Sequence, residues 1–167
     1  CYHGIATSTR SIALIFVDKG DKVICGLPSY LGALQAFVNY GADLVGIPLD
    51  DKGMRADLLD KKLAELQKAG TMPKFIYCIP DFQNPAGITM PEERRKEIIA
   101  VAQKYDVLIL EDSPYREIRF AGKAQPTIYQ LADEGRVVLL GTFSKTFAPG
   151  FRIGWVIADP QIIDKVV

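Results

Sequence analysis

The sequence has little that would tie it to a metal, a disulfide framework or a membrane. Its single histidine, His3, has no motif around it. Its three cysteines, Cys1, Cys25 and Cys78, are an odd number at spacings that match neither a disulfide framework nor a zinc site, so reduced thiols in the cytoplasm are the expectation. No apolar run approaches the roughly 18 residues of a membrane span, and no charged segment precedes an apolar signal core. Charge bias is missing as well. Twenty Lys+Arg balance 20 Asp+Glu, which argues against nucleic acid or an anionic surface as partner and for a small molecule. There is no internal repeat or low-complexity tract, and the absence of a starting methionine fits a piece of a longer chain.

What is present describes one soluble globular domain: 167 residues, 49% apolar and 24% charged, enough to bury a sizeable core. Short β-rich runs alternate with helical patterns, the signature of an α/β domain on a largely parallel sheet. Strands are predicted at 22–25, 43–48, 74–79, 107–111, 137–141 and 153–158, each rich in Val, Ile, Leu or aromatics. Helices are predicted at 29–40, 55–69, 91–105 and 160–167. The helix at 91–105 is the best marked, with Thr89 as a cap, Pro91 and Glu92-Glu93 in the first turn, and Ile98, Ile99 and Ala102 on one face. Polar punctuation follows strands at 81–87, 112–115 and 142–150. Ligands of open α/β sheets bind at the carboxyl ends of strands, so chemistry is expected in these loops.

The segment 141–155, Gly-Thr-Phe-Ser-Lys-Thr-Phe-Ala-Pro-Gly-Phe-Arg-Ile-Gly-Trp, puts a hydroxyl, a lysine and an arginine just after an apolar strand. A partly desolvated lysine near another cation is one whose pKa falls enough to attack a carbonyl. Each residue also has a plainer reading. Ser144-Lys145 alone is a surface turn, Asn84-Pro85 an ordinary turn, Asp112 a cap, and Tyr115 or Tyr30 core. What separates the readings is their joint occurrence: Asn84, Asp112, Tyr115, Ser144, Lys145 and Arg152 all follow successive predicted strands.

That pattern resembles the class I/II aminotransferases, fold-type-I pyridoxal-phosphate enzymes, and within them the kynurenine, 2-aminoadipate and aromatic amino acid group. The resemblance covers residues 13–167. It implies a three-layer α/β sandwich with a mostly parallel sheet, the large domain of such an enzyme. It implies pyridoxal 5'-phosphate held through a Schiff base on Lys145, with Ser144, Arg152 and Thr142 at its phosphate; Thr142 stands where the family usually has serine. Asn84, in Gln83-Asn84-Pro85-Ala86-Gly87, would donate to the phenolic oxygen of the cofactor, and Tyr115 would reach the same oxygen. Asp112, in Leu-Glu-Asp-Ser-Pro-Tyr, would stay ionised against a protonated ring nitrogen. Tyr30 would stack on the ring. Substrates would be an amino acid and a 2-oxo acid, and the full-length protein a homodimer. An amino-terminal arm and a carboxyl-terminal small domain would lie outside this chain, so this stretch alone is expected to be inactive.

Residues 1–12 depart from the family, which has Gly-Ser-Gln-Gln opening a phosphate-binding helix where this chain reads Gly4-Ile5-Ala6-Thr7. One permitted codon choice for residues 1–12, read with its first base dropped, encodes Val-Thr-Thr-Gly-Ser-Gln-Gln-Ala-Leu-Asp-Leu. The expectation is that this stretch is translated out of frame. Two rival functions stay open: the aminotransferase-like sensor domain of a winged-helix transcription regulator, which upstream sequence would reveal, and a lyase or decarboxylase on the same fold, which product analysis would reveal.

Overall fold

Alternate side chains of each central strand enter opposite cores, which is why these strands read as unbroken apolar runs. The computed structural model describes residues 2–132, 135–151 and 153–166, with side chains from residue 9 onward. Its elements in chain order are β1 (Tyr2–His3), α1 (Gly4–Phe16), β2 (Lys22–Leu27), α2 (Leu31–Asn39), β3 (Asp43–Asp50), β4 (Gly53–Met54), α3 (Ala56–Lys68), β5 (Phe75–Cys78), α4 (Glu92–Lys104), β6 (Leu108–Asp112), α5 (Ile128–Leu131), β7 (Val137–Thr142), β8 (Ile153–Ile157) and α6 (Pro160–Val166). The strands form one sheet in the order β1-β8-β7-β6-β5-β2-β3-β4. From β3 through β2, β5 and β6 to β7 all pairings are parallel. Antiparallel pairs close the margins, β4 on β3, β8 on β7 and β1 on β8.

One core lies between the sheet and α3, α4 and α5. There Ile24, Ile76, Cys78, Ile109 and Val137 meet Leu59, Leu63, Ile98, Ile99, Ala102 and Ile128. The other lies on the opposite face, where Val23, Cys25, Phe75, Tyr77, Leu110, Val138 and Leu140 meet Ile12, Ala13 and Val17 at α1, Ala33 and Phe37 of α2, and Val166 of α6. This is the expected three-layer sandwich. The chain leaves β2 for β3 through α2 on one face and leaves β5 for β6 through α4 on the other. Right-handed crossovers on opposite faces walk in opposite directions, so the strand order reverses between β2 and β5.

Every predicted strand and helix is present, with ends shifted by a residue or two. Two expectations are corrected. Helix α1 is missing from the helices predicted by periodicity and was implied only by the resemblance, although Thr9, Ile12, Ala13 and Val17, all buried, carry the spacing of a helix face. Thr89 does not cap α4: the N-cap is Pro91 without a side-chain bond, and the Thr89 hydroxyl instead accepts from the Phe82 amide at 3.3 Å. Gly141 is required by a close approach, since a Cβ there would lie 2.0 Å from the Trp155 indole that crosses it from β8. Cys25 and Cys78 are free, buried thiols. Among the described residues no helix is long and apolar enough to cross a membrane, and no group of His, Cys, Asp and Glu is arranged to hold a metal.

Candidate active site

The three loops expected to carry chemistry are neighbours, because β5, β6 and β7 lie side by side with their carboxyl ends at one edge. The loop after β5 is locked by its own hydrogen bonds. Gln83 accepts from the Ala86 amide through Oε1 at 2.8 Å, donates its amide to the Ile88 carbonyl at 2.8 Å, and reaches the Pro28 carbonyl beyond β2 through Nε2 at 3.0 Å. Gly87 takes the left-handed φ of 72° that closes the turn. Held this way, Asn84 donates through Nδ2 to the Tyr115 hydroxyl at 3.2 Å. The Lys145 ammonium lies 5.9 Å from the centre of the Tyr115 ring. Asn84, Tyr115 and Lys145, from three successive loops, therefore meet around one phenol.

Asp112 ends β6 and is fully buried. Its Oδ2 accepts from the Tyr77 hydroxyl at 2.7 Å, while its Oδ1, equally buried, has no partner. Burial pushes the carboxyl up to about 7, the neighbouring Glu111 adds to the rise, and the Tyr77 bond opposes it. A cation placed at Oδ1 would act in the opposite sense and restore the charged form. The ionised Asp112 expected from sequence thus depends on such a cation.

The turn after β7 is built by Thr142. Its hydroxyl donates to the Ile153 carbonyl at 3.0 Å and accepts from the Ser144 amide at 3.1 Å, and the Phe147 amide closes on the Phe143 carbonyl at 2.9 Å. The Thr142 hydroxyl proton is therefore committed to the backbone. Ser144 Oγ is buried and has no partner. Helix α1 opens beside this turn, since His3 pairs with Ile153 and Tyr2 with Gly154, which in turn pairs with Thr142. Lys145 is exposed, which corrects the expectation of a partly desolvated amine. Tyr30 is half-buried at the head of α2 with its ring lying against Gly32. Arg152 lies outside the described residues.

Sequence reasoning missed two features. Tyr77 was read only as part of an apolar strand. Asp81 was placed only in the polar punctuation after a strand and Arg95 only within the helix at 91–105, yet both are completely buried and paired at 2.9 Å. Each of the five N–H groups of Arg95 has an acceptor: the Met90, Pro80 and Pro126 carbonyls and both oxygens of Asp81. Arg116 and Arg119 also reach Asp81, at 3.5 and 3.2 Å, and Arg119 stacks 4.7 Å over the ring of Phe82, whose φ is 50°. This hub ties the Asn84 loop to the Tyr115 loop. No motif announces it, because nothing in a run of charged helix residues says which one turns inward.

A family model described as aminotransferase class I and II matches residues 2–167. An aromatic-amino-acid aminotransferase of Thermococcus litoralis is 52% identical over 93% of this chain and 37% of its own length. The solved kynurenine aminotransferase of Pyrococcus horikoshii, in complex with PMP, superposes with a TM-score of 0.95 at 48% identity, over 98% of this chain and 40% of that one. An uncharacterized HTH-type transcriptional regulator of Bacillus subtilis is 34% identical over 98% of this chain and 33% of its own length. The chain thus spans well under half the length of these relatives.

Proposed function

Because this chain belongs to the class I and II aminotransferases, we propose that it is the cofactor-holding part of an enzyme that moves an amino group from an amino acid to a 2-oxo acid with pyridoxal 5'-phosphate. The observation that carries the reading is the unpartnered, fully buried Oδ1 of Asp112, an oxygen that fits a protonated pyridine nitrogen. The unpartnered Ser144 Oγ, beside the opening of α1, fits a phosphate oxygen. When bound, the cofactor supplies an aldehyde that joins an amine and a ring that withdraws electrons.

This chain's residues would do the rest. Asp112 holds a proton on the ring nitrogen. Asn84 and Tyr115, already in contact, donate to one phenolic oxygen. Lys145 anchors the cofactor covalently and, once released, moves a proton at the α-carbon of the substrate. Ser144 binds the phosphate, joined in this reading by Arg152. Thr142 serves it indirectly by shaping the turn, and Tyr30 stacks on the ring. The exposed Phe120, Phe147 and Phe151 support a surface covered in the complete protein, which this reading makes a cytoplasmic homodimer. The same reading keeps residues 1–12 as an out-of-frame stretch, and resequencing the gene tests that directly.

In the full-length protein, Lys145→Ala should abolish amino transfer, and borohydride should no longer fix the cofactor to the chain. Unchanged trapping on this variant would overturn the assignment. The likeness to a transcription regulator supports a second reading, a ligand-sensing domain. Sequence-specific DNA binding without amino transfer by the full-length protein would favour it.

A further inference from the structure

Tyr77 and Asp112 face each other by register. In the parallel pair of β5 and β6, Tyr77 stands opposite Leu110, and Asp112, two residues further, points to the same face as Leu110. Tyr77 is completely buried, its ring T-shaped to that of Phe37 with centroids 5.3 Å apart, and its hydroxyl has one acceptor, Asp112 Oδ2 at 2.7 Å. A tyrosine that only filled this core would gain nothing over phenylalanine. Among the described residues, this hydroxyl is the single side-chain donor to the buried Asp112 carboxylate.

We propose that Tyr77 is a positioning residue for Asp112: its hydroxyl fixes one carboxylate oxygen, so that the other is the one presented to a cationic ring nitrogen, and it holds the carboxylate in its charged form. The proposal rests on the reading of Asp112 given above. Two consequences follow from the one bond. Rotation of the carboxylate is stopped, which leaves Oδ1 as the free acceptor. A bond donated to the charged form also opposes the burial that drives Asp112 toward its neutral acid. A neutral acid would offer the ring nitrogen a donor rather than an acceptor and could not keep that nitrogen protonated. Tyr77 itself remains a donor, because burial and the charge of Asp112 hold its phenol well above the usual range. The other titratable groups acting on the pair are Tyr30 from the head of α2, Cys78 on β5 and Glu111 on the opposite face of β6.

The test uses the full-length protein. In its cofactor-free form, the carbon-13 carboxyl signal that disappears in Asp112→Asn should titrate at about 7. Tyr77→Phe should move that titration upward. Difluorotyrosine at position 77, a stronger donor of nearly the same shape, should move it downward. In the cofactor-loaded enzyme, Tyr77→Phe should lower kcat about tenfold or more, as loss of a hydrogen bond to a charged group implies, with KM within about twofold. Phe37→Leu loosens the same core but keeps the hydroxyl, and it should move neither readout. A titration indifferent to both changes at position 77, or one shifted equally by Phe37→Leu, would overturn the proposal. Should Tyr77→Phe fail to fold, the difluorotyrosine protein decides alone. Failure of the underlying reading would show separately, as amino transfer that survives Lys145→Ala.

Discussion

Two aspartates shut off from solvent close neighbouring strands of the same sheet edge, and the fold treats them in opposite ways. Asp81, just past β5, is surrounded by Arg95, Arg116 and Arg119, and both its oxygens are taken. Asp112, at the end of β6, has one donor for two oxygens and an uncompensated charge. A buried charge is tolerable when paired and saturated with hydrogen bonds, and unfavourable otherwise. Asp81 therefore belongs to the scaffold that sets the loops, while Asp112 keeps a free oxygen in the candidate site those loops surround. Burial alone would have grouped the two; the count of partners separates them.

The comparison breaks first at Asp81. Asp81→Ala leaves Arg95 as a fully buried cation without its carboxylate and should cost about 3–5 kcal/mol of stability, read from the urea midpoint. A loss below about 1 kcal/mol would mean that the hub is not structural.

A differently signed, pH-dependent effect is expected at Asp112. Its folded-state value of about 7 lies above the ordinary 3.8, so in the cofactor-free chain the group favours folding fully below about pH 4, and that contribution is lost as pH rises through about 7. Asp112→Asn should remove this part of the pH dependence, worth up to about 1.4 kcal/mol per pH unit across the window, and make the cofactor-free chain more stable at pH 8. Unfolding curves at pH 5 and pH 8 for both proteins check the sign. The same substitution in the loaded full-length enzyme should lower kcat far more than cofactor affinity.

The smallest expected effect sharpens the boundary of the hub. Thr127 caps α5, accepting from the Gln130 amide at 3.0 Å while Gln130 Oε1 accepts from the Thr127 amide at 2.9 Å, and the preceding Pro126 carbonyl accepts from Arg95. Glu111 receives the next two amides, of Ile128 and Tyr129. Thr127→Ala should cost about 1 kcal/mol and leave the Asp112 titration unmoved. A shift in that titration would show that the two carboxylate systems are coupled through β6.

Much of the candidate site's placement was legible in the sequence, because Asn84, Asp112, Tyr115, Ser144 and Lys145 stand at or after the ends of apolar runs whose strand character is plain, and parallel strands bring their carboxyl ends to one edge. The partners of those residues were not legible. Tyr77 is one of four apolar-looking residues in Phe75–Cys78, and only its register against Leu110 aims it at Asp112. Arg95 sits in Glu-Glu-Arg-Arg-Lys-Glu, where composition says solvent and packing says core.

By itself, then, the sequence determined the α/β order and the approximate place of each strand, and it marked the candidate site residues at the loops that follow, since these depend on period and spacing along the chain. Tertiary structure decided which of two buried aspartates is neutralised and which keeps a free oxygen. That distinction depends on groups 14, 35 and 38 positions away, brought within hydrogen-bond reach only when the sheet is closed and its loops are packed.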